Sequence, residues 1–555
     1  MAVQIYKNGQ WRTLAGKKIA KNGKWYTPKV TDKIALGGKW YNIGFETVAP
    51  SASASPKLED VAFFAADEPT TAGTAYYMTP EGAGNMDGTS WDNAYSGANI
   101  HVAMLSMASG DRLYMTEGNY TNERIIILPT GVSVFGGFSA TNPTWATRDA
   151  FAHVTKWTQS AATFGLFTMA TDSADGQCID GITCAPAVAT DYKAVTLRNM
   201  CITGGVMSCA NIEHSRVSNA TLTAKTCDTI AAYLTTATIN TQADNSAFIG
   251  TSDNNVAVSL TKATNCSVSY CAVSYNGVST NCTASDCDSA YFADNATNCT
   301  AVNCATVSSS YVFDTKATNC TAVNCLIGSN AYVFNTSATN CTAVNCKGSS
   351  AQYPSVVFSE NSKNCIAINC TCYSDKSSYI SIFGRYSENC IAINCTDKND
   401  AFIFHDGSIN CSAVNCKAKN IFYTNSRSFK QINCLSWNNS GTEFYNYSLT
   451  TTGAGSTYNS ALALTLGTDN SIARFTNTGY YPAQGVQDTG DCPSPITDPA
   501  GYAAYVASFG DWHPLANSFL VGKGTAQTDV TTDADGVTRP ASPTIGAYEP
   551  KPTSN

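Results

Sequence analysis

The 555-residue sequence predicts an all-β solenoid, a single-stranded parallel β-helix. One phrase recurs: Asn-Cys-Thr-Ala-Val-Asn-Cys or a near copy, with its first Cys at 266, 282, 299, 320, 341, 365, 390 and 411 and a second Cys five residues later. A period of roughly 16–25 residues marks a stack of coils rather than a globular core. Each period also holds two short runs of Val, Ile, Tyr, Phe and Thr separated by Ser, Asn, Asp, Gly and Lys, with neither a leucine consensus nor a helical apolar period. Finally, side chains recur in columns. Coils rise about 4.8 Å each, so Phe292, Phe313, Phe334, Phe358, Phe383 and Phe404, each seven residues before a repeat Cys, should stand one above another. Asn303, Asn324, Asn345, Asn369, Asn394 and Asn415 should form an amide ladder at a coil corner. Two Cys an odd number of residues apart on an uninterrupted strand face opposite sides, so either a bend separates them or only one Cys column points inward.

Along the chain, residues 1–45 repeat Lys-Asn-Gly-Gln-Trp11, Lys-Asn-Gly-Lys-Trp25 and Leu-Gly-Gly-Lys-Trp40. Asn-Gly or Gly-Gly between β-formers is a hairpin signal, and three small hairpins bury too little surface to stand alone. This segment is therefore expected to dock onto a partner or onto copies of itself, with Trp11, Trp25 and Trp40 as attachment residues. Residues 46–75, rich in Pro, Ser and Ala, read as a linker. Residues 76–150 read as an N-terminal cap with the first coils, in which 98–108 can form a short helix whose apolar side (Ile100, Val102, Ala103, Leu105, Met107) covers the open end. Residues 151–485 form the β-helix and 486–555 a C-terminal cap over its last coil.

Two blocks carry a family resemblance. Gly88-Thr-Ser-Trp-Asp-Asn-Ala-Tyr95, Ser109-Gly-Asp-Arg-Leu-Tyr-Met-Thr-Glu-Gly-Asn-Tyr120 and Gly131-Val-Ser-Val-Phe-Gly-Gly-Phe138 resemble the opening of right-handed, pectate-lyase-like β-helix proteins of the type found in gut Bacteroidota and their bacteriophages. Asp511-Trp-His-Pro-Leu515, Asp533-Ala-Asp-Gly-Val-Thr-Arg-Pro540 and Ile545-Gly-Ala-Tyr-Glu549 resemble the closing segment of the same class, so the likeness spans roughly residues 76–550. The Lys-Asn-Gly-x-Trp repeats are similar to those of phage structural proteins. A β-helix behind such a head resembles a tailspike or fibre, which implies a homotrimer. This superfold hosts lyases, hydrolases, adhesins and spikes alike, so activity must come from the site.

Composition narrows the classes. A net charge of −8 lacks the basic footprint of a nucleic-acid partner. No run of about 18 apolar residues offers a membrane span, and Met1–Arg12 lacks the apolar core of a secretion signal. The 24 cysteines read as small apolar ladder residues, which assembly in a reducing host cytoplasm would keep as free thiols; disulfides between Cys at equivalent positions of neighbouring coils are the alternative. The Asn-Cys-Thr/Ser glycosylation pattern is already explained by the ladder. The five scattered His and the absence of Cys-x-x-Cys predict no metal site, and no cofactor is expected. Asp533, Asp535 and Gly536 suggest a plain turn rather than a calcium loop.

Cleavage of a polysaccharide would need converging carboxylates. Asp286, Asp288, Asp294, Asp314, Glu360, Glu388, Asp397, Asp400 and Asp406 are available, with Arg385 and His405 nearby. Asp314, Glu360 and Asp406 follow the Phe column by one or two residues and are the catalytic candidates. For sugar binding, aromatic faces beside amides and hydroxyls are concentrated in 421–485, giving Phe422, Tyr423, Trp437, Phe444, Tyr445 and Tyr447 as candidates. The expectation is a bacteriophage virion protein, a tail or head fibre or tailspike. It would be trimeric, joined to other virion proteins through residues 1–45, and would bind a host surface glycan. The alternatives are a polysaccharide lyase or glycoside hydrolase on the same scaffold, or a bacterial surface adhesin.

Overall fold

The structure, a computed structural model, describes residues 61–70, 73–160, 177–186, 190–250, 257–306, 311–328, 331–348, 355–373, 381–398, 402–424, 432–437, 439–446, 492–516 and 520–550, with the strands of 4–42, 167–169 and 475–477, Leu58 and Ser518. Two compact units emerge, Met1–Ala54 and Ser55–Asn555.

The first unit holds three antiparallel hairpins. Gln4–Lys7 pairs with Gln10–Thr13, Ile19–Lys21 with Lys24–Tyr26, and Lys33–Leu36 with Lys39–Asn42. The innermost pairs flank Asn8-Gly9, Asn22-Gly23 and Gly37-Gly38, the two-residue connections that β-hairpins favour. Trp11, Trp25 and Trp40 sit opposite Tyr6, Ala20 and Ala35; their side chains lie outside the described residues.

The second unit is a parallel β-helix, right-handed as parallel crossovers require. Its register repeats coil on coil: Thr300–Val302 pairs with Thr321–Val323, which pairs with Thr342–Val344, and onward to Ile366–Ile368, Ile391–Ile393, Ser412–Val414 and Leu435–Trp437. The aromatic column is present and longer than expected. Tyr275, Phe292, Phe313, Phe334, Phe358, Phe383, Phe404 and Phe422 stack with centroids 4.4–4.9 Å apart, all buried.

The alternation problem posed by the cysteines is resolved by a bend. The Asn before each Cys adopts a left-handed backbone, Asn298 at φ 54° and Asn303 at φ 53°, and so on up the stack. Asn tolerates this conformation better than other residues with a Cβ. Each bend resets the side-chain alternation, so Cys299 and Cys304 both point inward and are buried, as are their equivalents. The thiols are free and donate toward carbonyls of the coil below, Cys304 to Ala284 at 3.4 Å and Cys320 to Ala296 at 3.4 Å. Nearer the N-terminal end, burial raises the thiols of Cys184 and Cys209 to about 12. Both corners carry amide ladders. Asn319 Nδ2 donates to Asn298 Oδ1 at 3.1 Å and Asn340 to Asn319 at 3.2 Å; in the second column Asn324 donates to Asn303 at 3.1 Å and Asn345 to Asn324 at 2.8 Å.

At the N-terminal end a short helix, α1 (Ile100–Ser106), buries Ile100, Ala103 and Met104 against Tyr120, Ile126, Leu128 and Trp157. Val102 and Leu105, expected on the covering side, are 53% and 78% exposed, because the helical turn places them opposite Ile100 and Met104. Residues 61–69, expected as linker, are pinned to the flank. Asn199 Nδ2 donates to the Phe64 carbonyl at 3.0 Å and Trp145 Nε1 to that of Ala66 at 2.7 Å, while Arg148 and Arg198 lie over Phe63 and Phe64 at 5.2 and 5.6 Å.

Residues 492–550, expected over the last coil, lie along the flank of many coils. The outward column that begins with Ser269 and Ser285 becomes Val302, Val323, Val344, Ile368, Ile393 and Val414. Cys492, Phe509, Trp512, Leu520, Ile545 and Tyr548 pack on that stripe. Full burial of each such side chain contributes about 1.5–3 kcal/mol. Polar ties fix the docking: Asn389 Nδ2 donates to the Thr532 carbonyl at 2.8 Å, Asn433 Nδ2 to that of Thr525 at 2.7 Å, and Ala547 N to Ser412 Oγ at 2.9 Å. Helix α2 (Pro499–Ser508) begins at Asp498, whose carboxylate accepts from Gly501 N at 2.9 Å. Asp533 is spent on its own turn, accepting from the amides of Asp535, Val537 and Glu549 at 2.8–2.9 Å. His513 bridges Asp511 (2.5 Å) and Asp535 (2.8 Å) beneath Tyr548.

Candidate functional site

The positions just after the Phe column form two adjacent columns, because the register there is fixed by Phe292↔Phe313, Phe313↔Phe334, Phe334↔Phe358, Phe358↔Phe383 and Phe383↔Phe404. The first runs through Asp314, Asn335, Ser359, Gly384 and His405. The second runs through Thr315, Thr336, Glu360, Arg385 and Asp406, with Thr336 the direct partner of Glu360. Asp314 thus stands in one column and Glu360 and Asp406 in the other. Two coils separate Asp314 from Glu360 and two more separate Glu360 from Asp406, about 9.6 Å per step along the axis.

Their surroundings differ as much as their positions. Asp314 accepts from Tyr291 Oη at 2.9 Å and from Asn335 Nδ2 at 2.7 Å. Glu360 is exposed. Asp406 is wholly buried, with Oδ2 3.6 Å from Arg385 Nε and 3.4 Å from His405 Nδ1. Burial and then Arg385 depress His405 to about 4, so its imidazole is neutral at physiological pH. Retaining glycosidases hold their carboxyls about 5–5.5 Å apart and inverting ones about 6.5–9.5 Å. The three catalytic candidates do not gather into such a pair. Of the other acids, Asp286 opens the second amide ladder by accepting from Asn303 at 2.8 Å, Glu388 pairs with Lys363 at 2.8 Å, Asp288 and Asp294 are exposed, and Asp397 is buried. Asp400 lies outside the described residues.

The glycan-binding candidates also divide. Phe422 is fully buried as the last described ring of the core column and presents no surface, a correction that follows from its register with Phe404. Tyr423 points the other way and stacks on Phe402 at 3.9 Å, with His405 at 5.5 Å. Trp437, Phe444 and Tyr445 lie on strands Leu435–Trp437 and Ser440–Asn446; their side chains, and Tyr447 altogether, lie outside the described residues.

A different aromatic group is outward-facing and was not singled out from the sequence. Tyr291, Tyr311 and Tyr332 lie on successive coils, each one or two residues before a column Phe, half-buried, with Tyr311 and Tyr332 5.5 Å apart. Asp294, Asp314 and Glu360 flank them. Burial, together with Asp314, raises Tyr291 to about 12, and burial, Tyr311 and Glu360 raise Tyr332. The signal that could have found two of them is the periodicity that revealed the Phe column, since Tyr311 and Tyr332 each stand two residues before its Phe; Tyr291 stands one residue before and breaks that offset. The result is a strip of rings, carboxylates and the Asn335 amide on a rigid face, able to offer apolar stacking with hydrogen bonds at its edge.

No family model and no curated protein matches this chain. Among solved structures it is similar to pectate lyase Pel9A (11% identity, 86% of this chain and 96% of that one, TM-score 0.17), to PfbA, a surface adhesin of Streptococcus pneumoniae (11%, 63% and 88%, 0.22), and to tailspike protein 3 of bacteriophage CBA120 (12%, 69% and 62%, 0.20). Identities and scores this low transfer no activity. The fold rests on the coil-on-coil register of the chain itself.

Proposed function

We propose that this protein is a fibre or tailspike of a bacteriophage virion that binds host surface polysaccharide along the Tyr291–Tyr311–Tyr332 strip. The observation that carries the binding is the pairing of outward rings with Asp314 and Asn335 on consecutive coils. Rings spaced along a rod suit a polymer, whose successive residues can engage successive coils. Three carboxylates beside the rings favour a neutral or amino-sugar chain over an acidic one, by electrostatic complementarity. Binding is preferred over cleavage because Asp314, Glu360 and Asp406 are spread over several coils. The layout of a compact hairpin unit, Met1–Ala54, ahead of a rod supports attachment through residues 1–45, with a homotrimer as the assembled form.

The test is binding to an array of bacterial surface polysaccharides, with released sugar monitored in parallel. The wild type is expected to retain a neutral or amino-sugar polymer without releasing product, and Tyr311→Ala/Tyr332→Ala to bind it roughly tenfold or more weakly, as for loss of aromatic anchors. Equal binding by the double variant would remove the strip from the reading, and product release would move the protein to the lyases or hydrolases. Sedimentation of the full chain and of a chain lacking residues 1–45 tests the trimer and the role of the hairpins.

A further inference from the structure

Residues 61–69 cross the flank of the first coils without helix or strand of their own, and no strand among the described residues pairs with them. Side chains of the rod meet their carbonyls instead. Arg216 Nη2 donates to Val61 O at 2.7 Å, Asn199 Nδ2 to Phe64 O at 3.0 Å, Trp145 Nε1 to Ala66 O at 2.7 Å and Arg112 Nη1 to Pro69 O, while Asn199 Oδ1 accepts from Phe64 N at 2.8 Å. Phe63 is the fourth ring around the Arg148 guanidinium, with Phe135, Phe138 and Trp145, all at 5.1–5.7 Å. Phe64 meets Arg198 at 5.6 Å and stacks on the His214 ring at 4.4 Å. The rod departs from its own pattern to make these seats. Coil-to-coil backbone bonds run one corner column through Asn199, His214, Thr229, Asn245 and Asn265, and from Asn245 onward it is the amide ladder. Where the segment crosses, Asn199 turns its amide to the main chain of Phe64, and the next position is His214, which keeps the left-handed backbone of the column (φ 46°) and lays its ring on Phe64.

We infer that this flank is a peptide-binding groove for a segment with two adjacent Phe between acidic residues, and that Val61–Pro69 is a resident copy of that ligand, which a partner bearing the same motif displaces. Four side-chain donors aimed at four main-chain carbonyls recognise a peptide, and the two ring seats supply selectivity. Charge agrees: Glu59-Asp60 and Asp67-Glu68 bracket the Phe pair in the sequence, and Arg112, Arg148, Arg198 and Arg216 stand at the seats. The seating is shallow, since Val61 alone of the nine residues is buried and Phe64 is 42% exposed. A strand leaving a sheet would bare a ladder edge; this segment, on leaving, bares side-chain donors that water can meet. Held on the same chain, the resident acts at an effective concentration on the order of millimolar, which masks the groove from a free peptide. The groove is independent of the tyrosine strip.

Fluorescence anisotropy of a labelled peptide of residues 59–70 on the full chain tests this. The wild type should bind it weakly. Phe63→Ala/Phe64→Ala, whose resident segment has lost both anchors, should bind it roughly tenfold or more tightly and keep the cooperative melting of the rod. Adding Asn199→Ala/Arg216→Ala to that variant should return binding to the wild-type level or below, as should placing Ala at both Phe positions of the peptide. Tyr311→Ala/Tyr332→Ala should change nothing, which separates failure here from failure of the proposed function. Equal binding by the wild type and Phe63→Ala/Phe64→Ala would overturn the proposal, as would equal binding of the two peptides, because the groove would not be where the peptide sits. Loss of the melting transition in Phe63→Ala/Phe64→Ala would overturn it too, because the segment would then be part of the fold and not its ligand.

Discussion

Asp397 makes a sharp test of how this core treats charge. It lies one coil above Cys372, its register partner, at an inward position, and Ala418 follows Lys417 at the equivalent place in the next coil. It is 5% exposed and neither carboxyl oxygen has a partner. Burial alone holds its pKa well above the ordinary carboxylate range. In the unfolded chain that pKa is about 3.9. The folded state therefore binds a proton that the unfolded state has released, and stability falls as pH rises above about 4, at about 1.4 kcal/mol per pH unit, until the folded pKa is reached. Below about 4 both states are protonated and the slope vanishes. Asp397→Ala should remove that slope and also the desolvation cost of the neutral carboxyl, about 1–3 kcal/mol. Asp397→Asn should remove only the slope. Denaturant midpoints measured from acid to neutral pH would show the wild type falling away from both variants. Parallel curves for wild type and Asp397→Ala would refute a buried, unpartnered acid at this position.

Two further predictions concern the corners and the C-terminal segment. Asn345 holds a left-handed backbone (φ 53°) and links Asn324 to Asn369; Asn345→Gly loses the amide contacts only, whereas Asn345→Ala adds strain of about 1–2 kcal/mol, so equal midpoints for the two variants would mean that the corner is not strained. For His513, burial lowers the pKa, but hydrogen bonds to Asp535 and Asp511 outweigh it and leave the group raised. Its contribution is present below the unfolded value of about 6.5 and is lost as pH rises through the folded one. Proteolysis of residues 492–550 should accelerate on that rise, and Asp535→Asn should shrink the change; a pH-independent cleavage rate would exclude the histidine.

The coil fold was legible because every level of the sequence repeats together: Cys, Asn and Phe return at fixed offsets, so register follows from counting. What counting left open was the facing of the two Cys columns, since alternation holds only on an unbent strand, and the bend depends on the left-handed Asn298 and Asn303. Site residues were harder for the same reason. Phe422 looked like a surface ring because the strict Asn-Cys phrase had ended, yet its pairing with Phe404 carries the core column past that point. Asp314, Glu360 and Asp406 looked like one face because each follows a Phe, but an offset of one against two residues puts Asp314 in a different column, and within the column they share Glu360 is exposed while Asp406 is buried. The tyrosine strip was visible in the repeat and was absorbed into the description of the β-runs.

The change from Ser285 to Val302 bears on how the rod is assembled. Below it the outward column is polar and needs no cover; above it six coils present Val or Ile to the outside, an apolar stripe that exposed would invite association between rods. The segment that covers it comes from the far end of the chain, so the stripe forms before its cover can. Cys492 O accepts from Asn324 at 2.8 Å, Thr532 O from Asn389 at 2.8 Å and Thr525 O from Asn433 at 2.7 Å, so these ties reach both Asn ladders at coils far apart in the stack. The C-terminal segment can reach all of them only when every coil between is present and in register. Docking of residues 492–550 thus reports on completion of the stack. It is the one step in which the repetitive part of the chain, where a slip by one coil keeps most contacts, is checked against a part that does not repeat.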